Sequence, residues 1–144
     1  MTSGNSASRR KVADMLRDLD VCMLTTHAAD GRLRSRPMSN NGAVEFDGDV
    51  WFFSGADTKK VADIETEPRV ELNYSDTDNF RFVSMSGEAT IVRDVEKKRE
   101  LWIDDLSCWF QDGPESDEVV LIKVTPSVVA FWQGEDHGEI VLQQ

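Results

Sequence analysis

Short β-favouring runs that follow one another across tight turns constrain the fold of this chain more than any other feature of its sequence. Two Asp-Gly dipeptides, at positions 30–31 and 47–48, each precede such a run. An Asp-Gly pair between two apolar runs is typical of a β-hairpin. The first third of the chain is therefore predicted to be a meander of strands, over residues 21–26, 32–39 and 50–54.

The rest of the chain adds further strand patterns. From Arg69 the apolar residues recur at every second position, as in a half-buried strand. Further strands are predicted over 80–92, 119–124, 128–132 and 139–142, with Pro126 between the second and the third of these. About six or seven strands in a chain of this length must leave edges or close into a barrel. We therefore predict a mainly β (α+β) fold, an antiparallel Greek-key or split β-barrel with flanking helices.

Helical patterns occur in three places. Over residues 6–19 an apolar residue recurs at i, i+3, i+4 and i+7, which forms one face of a helix. An Asp or Thr at 57–58 can cap a second helix, which must end before Pro68. A third helix is predicted to start after Asp94 and to include Leu101, Trp102 and Leu106.

The composition is that of an ordinary globular domain. A chain of 144 residues suffices for one apolar core, so 1–144 is treated as a single domain. No run approaches the roughly 20 apolar residues of a membrane span, and the polar N-terminus lacks a signal-peptide core, so we expect a cytoplasmic protein. Cys22, Cys108, His27 and His137 have no partners at metal-ligand spacing. We therefore expect two free thiols and no metal.

The formal net charge of −11 argues against nucleic acid as a partner. An anionic ligand must then be captured where positive charge is locally concentrated. One such place is residues 32–38, where Arg32, Arg34 and Arg36 alternate and would share one face of a strand. An ordinary solvated charged face is the alternative interpretation of these arginines.

The second concentration of positive charge is residues 54–60, which follow a strong strand and open a helix. Amides in the first turn of a helix lack partners and favour an anion. Thr58 adds a hydroxyl there, and Lys59 and Lys60 add charge. The alternative is a plain capped helix with two surface lysines. If the two basic segments lie side by side, they can hold a phosphate.

A longer pattern runs through both segments. Its motifs are, in order, Ser35-Arg36-Pro37-Met38, Phe52-Phe53-Ser54, Thr58-Lys59-Lys60, Pro68-Arg69-Val70, Ser86-Gly87-Glu88-Ala89, Trp109-Phe110, Val124-Thr125-Pro126 and Phe131-Trp132. In this order and spacing they resemble the pyridoxamine-phosphate-oxidase-like superfamily, whose fold is the flavin-binding split barrel. The match is closer to the general stress protein 26 branch of small flavoproteins and runs from about Val12 to Trp132.

The resemblance implies flavin mononucleotide (FMN) as the cofactor and a homodimer that holds the flavin between its subunits. Lys59 and Lys60 match a pair that binds the phosphate, and Trp132 matches an indole that the second subunit brings to the flavin. The implied cofactor-binding residues are Arg36, Pro37, Met38, Ser39, Asn40, Phe53, Ser54, Thr58, Lys59, Lys60, Trp109 and Trp132. Taken without the resemblance, Trp109 and Trp132 are equally interpreted as core aromatics.

The sequence also departs from the oxidase pattern. Gln133-Gly134 follows Phe131-Trp132 as in the oxidase, but residues 138–140 read Gly-Glu-Ile where the oxidase has the Arg-Leu-His that grips its vitamin substrate. Leu142 and Phe82 stand where an arginine and a glutamine are expected. We therefore expect an FMN-dependent oxidoreductase of the general stress protein type that does not oxidise pyridoxamine phosphate. The alternatives are a non-enzymatic flavin-binding stress protein and a cofactor-free dimeric interaction module.

Overall fold

The structure is a computed structural model that describes residues 2–39 and 46–142, with side chains described from residue 8 onward. The predicted cofactor-binding residue Asn40 lies outside the described residues. None of the helices in these ranges is both long and apolar enough to cross a bilayer.

The helices within the described ranges occur in the predicted order, but the first begins at Thr2 and ends at Leu16, whereas the sequence predicts a helix over 6–19. They are α1 (Thr2–Leu16), α2 (Lys59–Thr66) and α3 (Val95–Leu101), followed by a short 3-10 helix, η1 (Asp104–Cys108). The strands are β1 (Val21–His27), β2 (Leu33–Ser39), β3 (Val50–Gly55), β4 (Arg69–Asp76), β5 (Arg81–Val92), β6 (Val119–Gln133) and β7 (Asp136–Val141).

The strands form one antiparallel sheet in the order β2-β1-β4-β5-β6-β3, with β7 also paired to β6. The long strand β6 pairs with β5 along one edge, while β3 and then β7 share its other edge. The predicted mainly β, split-barrel fold class is confirmed. Within the described ranges no ladder joins β2 to β3, so hydrogen bonds do not close the sheet into a complete barrel.

A close backbone approach makes β6 one strand, where the sequence predicted two strands separated by Pro126. The register between β5 and β6 shifts at Ser86/Gly87, opposite Pro126, so the missing proline N–H falls at an irregularity of the ladder. A Cβ atom on Gly87 would lie only 2.3 Å from the carbonyl oxygen of Thr125. The glycine therefore allows β6 to continue past its proline.

The predicted third helix is too long. The helix α3 ends at Leu101, and Leu106 lies in the separate helix η1. At Trp102 the backbone is extended, and the indole packs edge-on against the Phe53 ring with centroids 5.4 Å apart. The chain thus leaves the helix at Trp102, whose ring packs on β3.

Two apolar clusters fill the interior. The larger joins α1 to the sheet and includes the residues predicted to form one helix face, Val12, Met15, Leu16 and Leu19. The smaller gathers Phe53, Leu106, Val119 and Leu121, with Trp102, Ile103 and Phe110 packed against it. This second cluster joins β3 to the irregular chain after α3, and it positions one side of the candidate site.

Candidate functional site

The three arginines near β2 do not share one environment. Arg32 precedes the strand, is 80% exposed, and donates to the Asp30 carboxylate of its own turn, with Nε 2.8 Å from Oδ2. Arg34 and Arg36, on alternate positions of β2, both point towards α2. The prediction of a common face therefore holds for Arg34 and Arg36, and it is wrong for Arg32 because the hairpin turn captures that side chain.

A buried carboxylate on α2 holds the inner two arginines. Asp63 Oδ2 lies 3.5 Å from Arg34 Nε and 3.9 Å from Arg36 Nη2. The fully buried Thr26 hydroxyl donates to the same oxygen at 2.9 Å. Because Thr26 belongs to β1, this one carboxylate ties α2 to two neighbouring strands.

Arg36 is fixed in place by further contacts. Its Nη1 donates to the Thr26 hydroxyl at 2.8 Å and to the Leu24 carbonyl at 3.2 Å. Burial lowers the pKa of the Arg36 guanidinium, the Asp63 charge raises it, and the Arg34 charge lowers it. These contacts hold the guanidinium in one orientation beside Asp63 of α2, close enough to affect Lys60 in the first turn of that helix.

Lys60, in the first turn of α2, lies close enough to Arg36 to be affected by its charge. Burial lowers the pKa of the half-buried Lys60 ammonium, and the positive charge of Arg36 lowers it further. In the part of the chain that the structure describes, no carboxylate lies within ion-pair distance of Lys60. The structure thus brings the two basic segments together, and it leaves positive charge there that an anion would neutralise.

The opening of α2 also leaves backbone donors in reach of a ligand. Thr58 is the N-cap residue, but its side chain makes no capping hydrogen bond. Its hydroxyl instead donates to the Gly55 carbonyl at 3.1 Å and lies 3.4 Å from the Ser54 hydroxyl. The amides of the first turn are therefore free of a side-chain cap, and the helix dipole favours an anion there.

A cavity of about 540 Å³ adjoins this opening. One side is formed by the end of β2, by β3 and by Lys60, and the other side by the chain after α3. The lining residues are Asp20, Pro37, Met38, Ser39, Phe53, Ser54, Gly55, Lys60, Ile103, Asp105, Leu106, Trp109 and Phe110. Its size, and its combination of apolar walls with polar and charged side chains, suit an organic cofactor.

Seven of the predicted cofactor-binding residues line this cavity, namely Pro37, Met38, Ser39, Phe53, Ser54, Lys60 and Trp109. Arg36 and Thr58 lie beside it without lining it. Lys59 is exposed and outside its wall.

Trp132 lies away from the cavity, paired with Phe82 and His137 in the sheet, and is 45% exposed. Trp109 is 80% exposed, so the core interpretation is wrong for both tryptophans.

The sequence analysis missed several residues of this region. Asp63 carried a weak signal, since it is an acid between the apolar Val61 and Ile64 on the inward face of α2. Thr26 and the wall residues Ile103 and Leu106 carried none, because their positions depend on how distant segments pack.

The described residues gather no group of three His, Cys, Asp or Glu side chains that could hold a metal ion. Cys22 is buried, and burial raises the pKa of its thiol to about 12, which keeps it protonated near neutral pH. Cys108 is exposed on η1. Besides cations, amides and aromatic walls, the site contains the carboxylates of Asp20 and Asp105.

Comparison with known proteins matches most of the chain to one family. The sequence profile described as "Pyridoxamine 5'-phosphate oxidase like" matches residues 7–143. General stress protein 26 of Bacillus subtilis is 27% identical over 141 residues, which cover 94% of this chain and 95% of that protein. The solved general stress protein 26 of Bacillus anthracis is 23% identical, with a TM-score of 0.79 and coverage of 93% and 98%.

A fungal relative is longer. Protein bli-3 of Neurospora crassa is 29% identical over 111 residues, which cover 71% of this chain and 53% of that protein. The chain therefore spans about half the length of this relative.

Replacing Asp63 tests how far the site depends on its buried carboxylate. Asp63→Asn leaves Arg34 and Arg36 without their counter-charge, so we expect a loss of about 3 kcal/mol in the free energy of unfolding. Urea denaturation of the ligand-free protein measures it. The control is Glu65→Gln, on the same helix as Asp63. It breaks an exposed ion pair with Arg93 and should cost less than about 0.5 kcal/mol. Equal losses in the two variants would contradict this role for Asp63.

Proposed function

The chain belongs to the pyridoxamine 5'-phosphate oxidase-like family, and from this premise we propose that it binds FMN in the cavity between β2, α2 and the chain after α3. Members of this family generally bind flavin. The observation that carries the proposal is the convergence of Arg36 and Lys60 beside the cavity and the uncapped start of α2. These groups suit a phosphomonoester, although the whole chain carries a net charge of −11.

The phosphate half of the proposed site is the cationic one. Lys60 and the first-turn amides of α2 would bind the phosphate directly, and Arg36 would neutralise it from behind. Thr58 would contribute its hydroxyl. Lys59 is exposed and would act mainly through its charge.

The ring half of the proposed site is the apolar one. Phe53, Ser54 and Trp109 would contact the isoalloxazine ring, together with residues 37–39 and with Asn40. FMN supplies the hydride and electron transfer when it is bound. Backbone amides near Met38 and Ser39 would lie close to the ring and adjust its electron affinity, and the aromatic walls would exclude water.

We further propose that two copies pair through the outer face of the sheet. Val21 and Met23 of β1 are exposed, at 57% and 41%, and pair with the cavity residues Ser39 and Pro37. The same face continues through Asn73, Ser84 and Ala130 to Trp132. Exposed apolar side chains beside a cavity favour a covering partner. A second copy would bring Trp132 to the flavin.

Flavin titration of two single lysine variants tests the proposed phosphate site. We expect wild type to quench FMN fluorescence near stoichiometry. Lys60→Ala should weaken FMN at least about tenfold and riboflavin less than about twofold, because it removes a half-buried charge beside the phosphate. Lys59→Ala is the matched control and should weaken FMN less than about threefold, since its exposed charge is screened.

Two results would contradict the proposal. If wild type binds neither flavin, a cofactor-free module is the correct interpretation. If Lys60→Ala weakens FMN and riboflavin equally, the phosphate lies elsewhere.

The redox role needs a separate measurement. We expect FMN bound to the protein, once reduced by a nicotinamide nucleotide, to be reoxidised by an added acceptor faster than free FMN. Pyridoxamine phosphate should not be turned over, because the segment that would grip it reads Gly138-Glu139-Ile140. Equal reoxidation rates for bound and free FMN would favour a non-enzymatic flavin-binding stress protein.

A charge placed in the proposed interface tests the homodimer. Analytical ultracentrifugation should give wild type a mass of twice 16.2 kDa. Met23→Glu should have a mass near 16.2 kDa and bind FMN more weakly. Thr66→Glu, at the exposed end of α2, is the control and should remain a dimer. A dimeric Met23→Glu with the FMN affinity of wild type would place the interface on another surface.

A further inference from the structure

Lys98 is a buried charge that the proposed function does not use. This residue of α3 is only 1% exposed, and its Nζ donates to the carbonyl oxygens of Ser116 and Val119, both at 2.9 Å. Across the described ranges no carboxylate lies within ion-pair distance of it. A buried ammonium is costly unless its protons are bonded, so these two bonds fix both the lysine and its acceptors.

One acceptor, Ser116, lies near the end of an irregular stretch, residues 102–118, which we call the wall segment, and the other, Val119, is the first residue of the strand that follows it. The wall segment leaves α3 and returns to β6, and it carries Ile103, Leu106, Trp109 and Phe110, which form the far side of the cavity. Apart from η1 it has no regular secondary structure. The position of the far wall therefore depends on the packing of Leu106 and Phe110 in the second apolar cluster and on how the two ends of the segment are held.

Different interactions hold the two ends. The first end is held by the edge-on packing of Trp102 against Phe53. The second end is held by Lys98 and by the bond from the Ala56 amide to the Glu118 carbonyl at 2.8 Å. The ion pair between Arg99 and Glu115 is exposed, so it contributes little. Lys98 is thus the main side-chain anchor of the second end.

We propose that Lys98 is a positioning residue that sets the affinity of the cavity for the flavin ring, an inference that rests on the proposed function. It acts by holding the second end of the wall segment, so that Trp109 and Phe110 stay against the cavity. An apolar side chain of similar length would remove the side-chain donor of the buried Val119 carbonyl and would leave the Ser116 carbonyl with only the Val119 amide, at 3.2 Å. The segment would then move towards water, and the ring would lose one wall.

This role predicts a pattern of losses different from that of the phosphate site. The wall segment contributes Trp109, Phe110, Leu106, Ile103 and Asp105 to the cavity, and none of these is a cation. Loosening the segment should therefore weaken both FMN and riboflavin, because both carry the ring that these residues face. A defect at Lys60, in contrast, should affect FMN alone.

The experiment compares Lys98→Met with Lys97→Met. Lys97 is the neighbouring residue, and its contacts are a surface ion pair with Glu100 and the Trp51 ring at 4.7 Å. We expect Lys98→Met to weaken both FMN and riboflavin about tenfold, and Lys97→Met to weaken either less than about threefold, by fluorescence titration. Amide hydrogen exchange of the ligand-free variant should accelerate in residues 104–119 and stay unchanged in β4 and β5.

Each outcome decides the matter. Wild-type affinity for both flavins in Lys98→Met, or a loss confined to FMN, would overturn the role of Lys98. Should that variant fail to fold, riboflavin binding to wild type must still slow amide exchange in residues 104–119, and the absence of this protection would also overturn it. Wild type that binds neither flavin would instead refute the proposed function.

Discussion

The site depends on one buried carboxylate. Asp63 is the only anion, among the described residues, within 4 Å of Arg34 and Arg36, and it also accepts from Thr26 of the neighbouring strand. Two guanidinium groups could not otherwise lie between a sheet and a helix without a large desolvation cost. By fixing α2 against β1 and β2, this carboxylate also decides where Lys60 and the start of α2 lie.

The same carboxylate adjusts the local charge. Arg34 and Arg36 face it, Lys60 lies close enough to Arg36 to be affected by its charge, and together the four groups carry two positive units. A phosphomonoester carries nearly two negative units at neutral pH, whereas a phosphodiester carries one. The acidic surface of the rest of the chain is screened beyond about 8 Å at physiological salt, so an anion in the cavity responds to this local balance together with the lining carboxylates of Asp20 and Asp105.

Local patterns predicted the elements, and tertiary contacts decided the rest. Alternation and Asp-Gly turns sufficed for the strands, because both act over a few residues. The continuity of β6 past Pro126 could not be predicted, since it requires Gly87 on another strand. Likewise the inward orientation of Arg36 follows from a strand pattern, but its partner Asp63 lies 27 positions further along the chain. The exposure of Trp109 and Trp132 also depends on how distant segments pack.

The two halves of the cavity therefore differ in rigidity. The phosphate half is built on paired strands and a helix that a buried anion holds together. The ring half depends on a segment with little regular structure, which a buried cation fixes at one end. Because irregular segments open at lower free energy than paired strands, variation in the ligand should be tolerated at the ring and rejected at the phosphate. Discrimination among flavins would then depend first on the terminal phosphate, and a deazaflavin ring would be excluded less strongly than a missing phosphate.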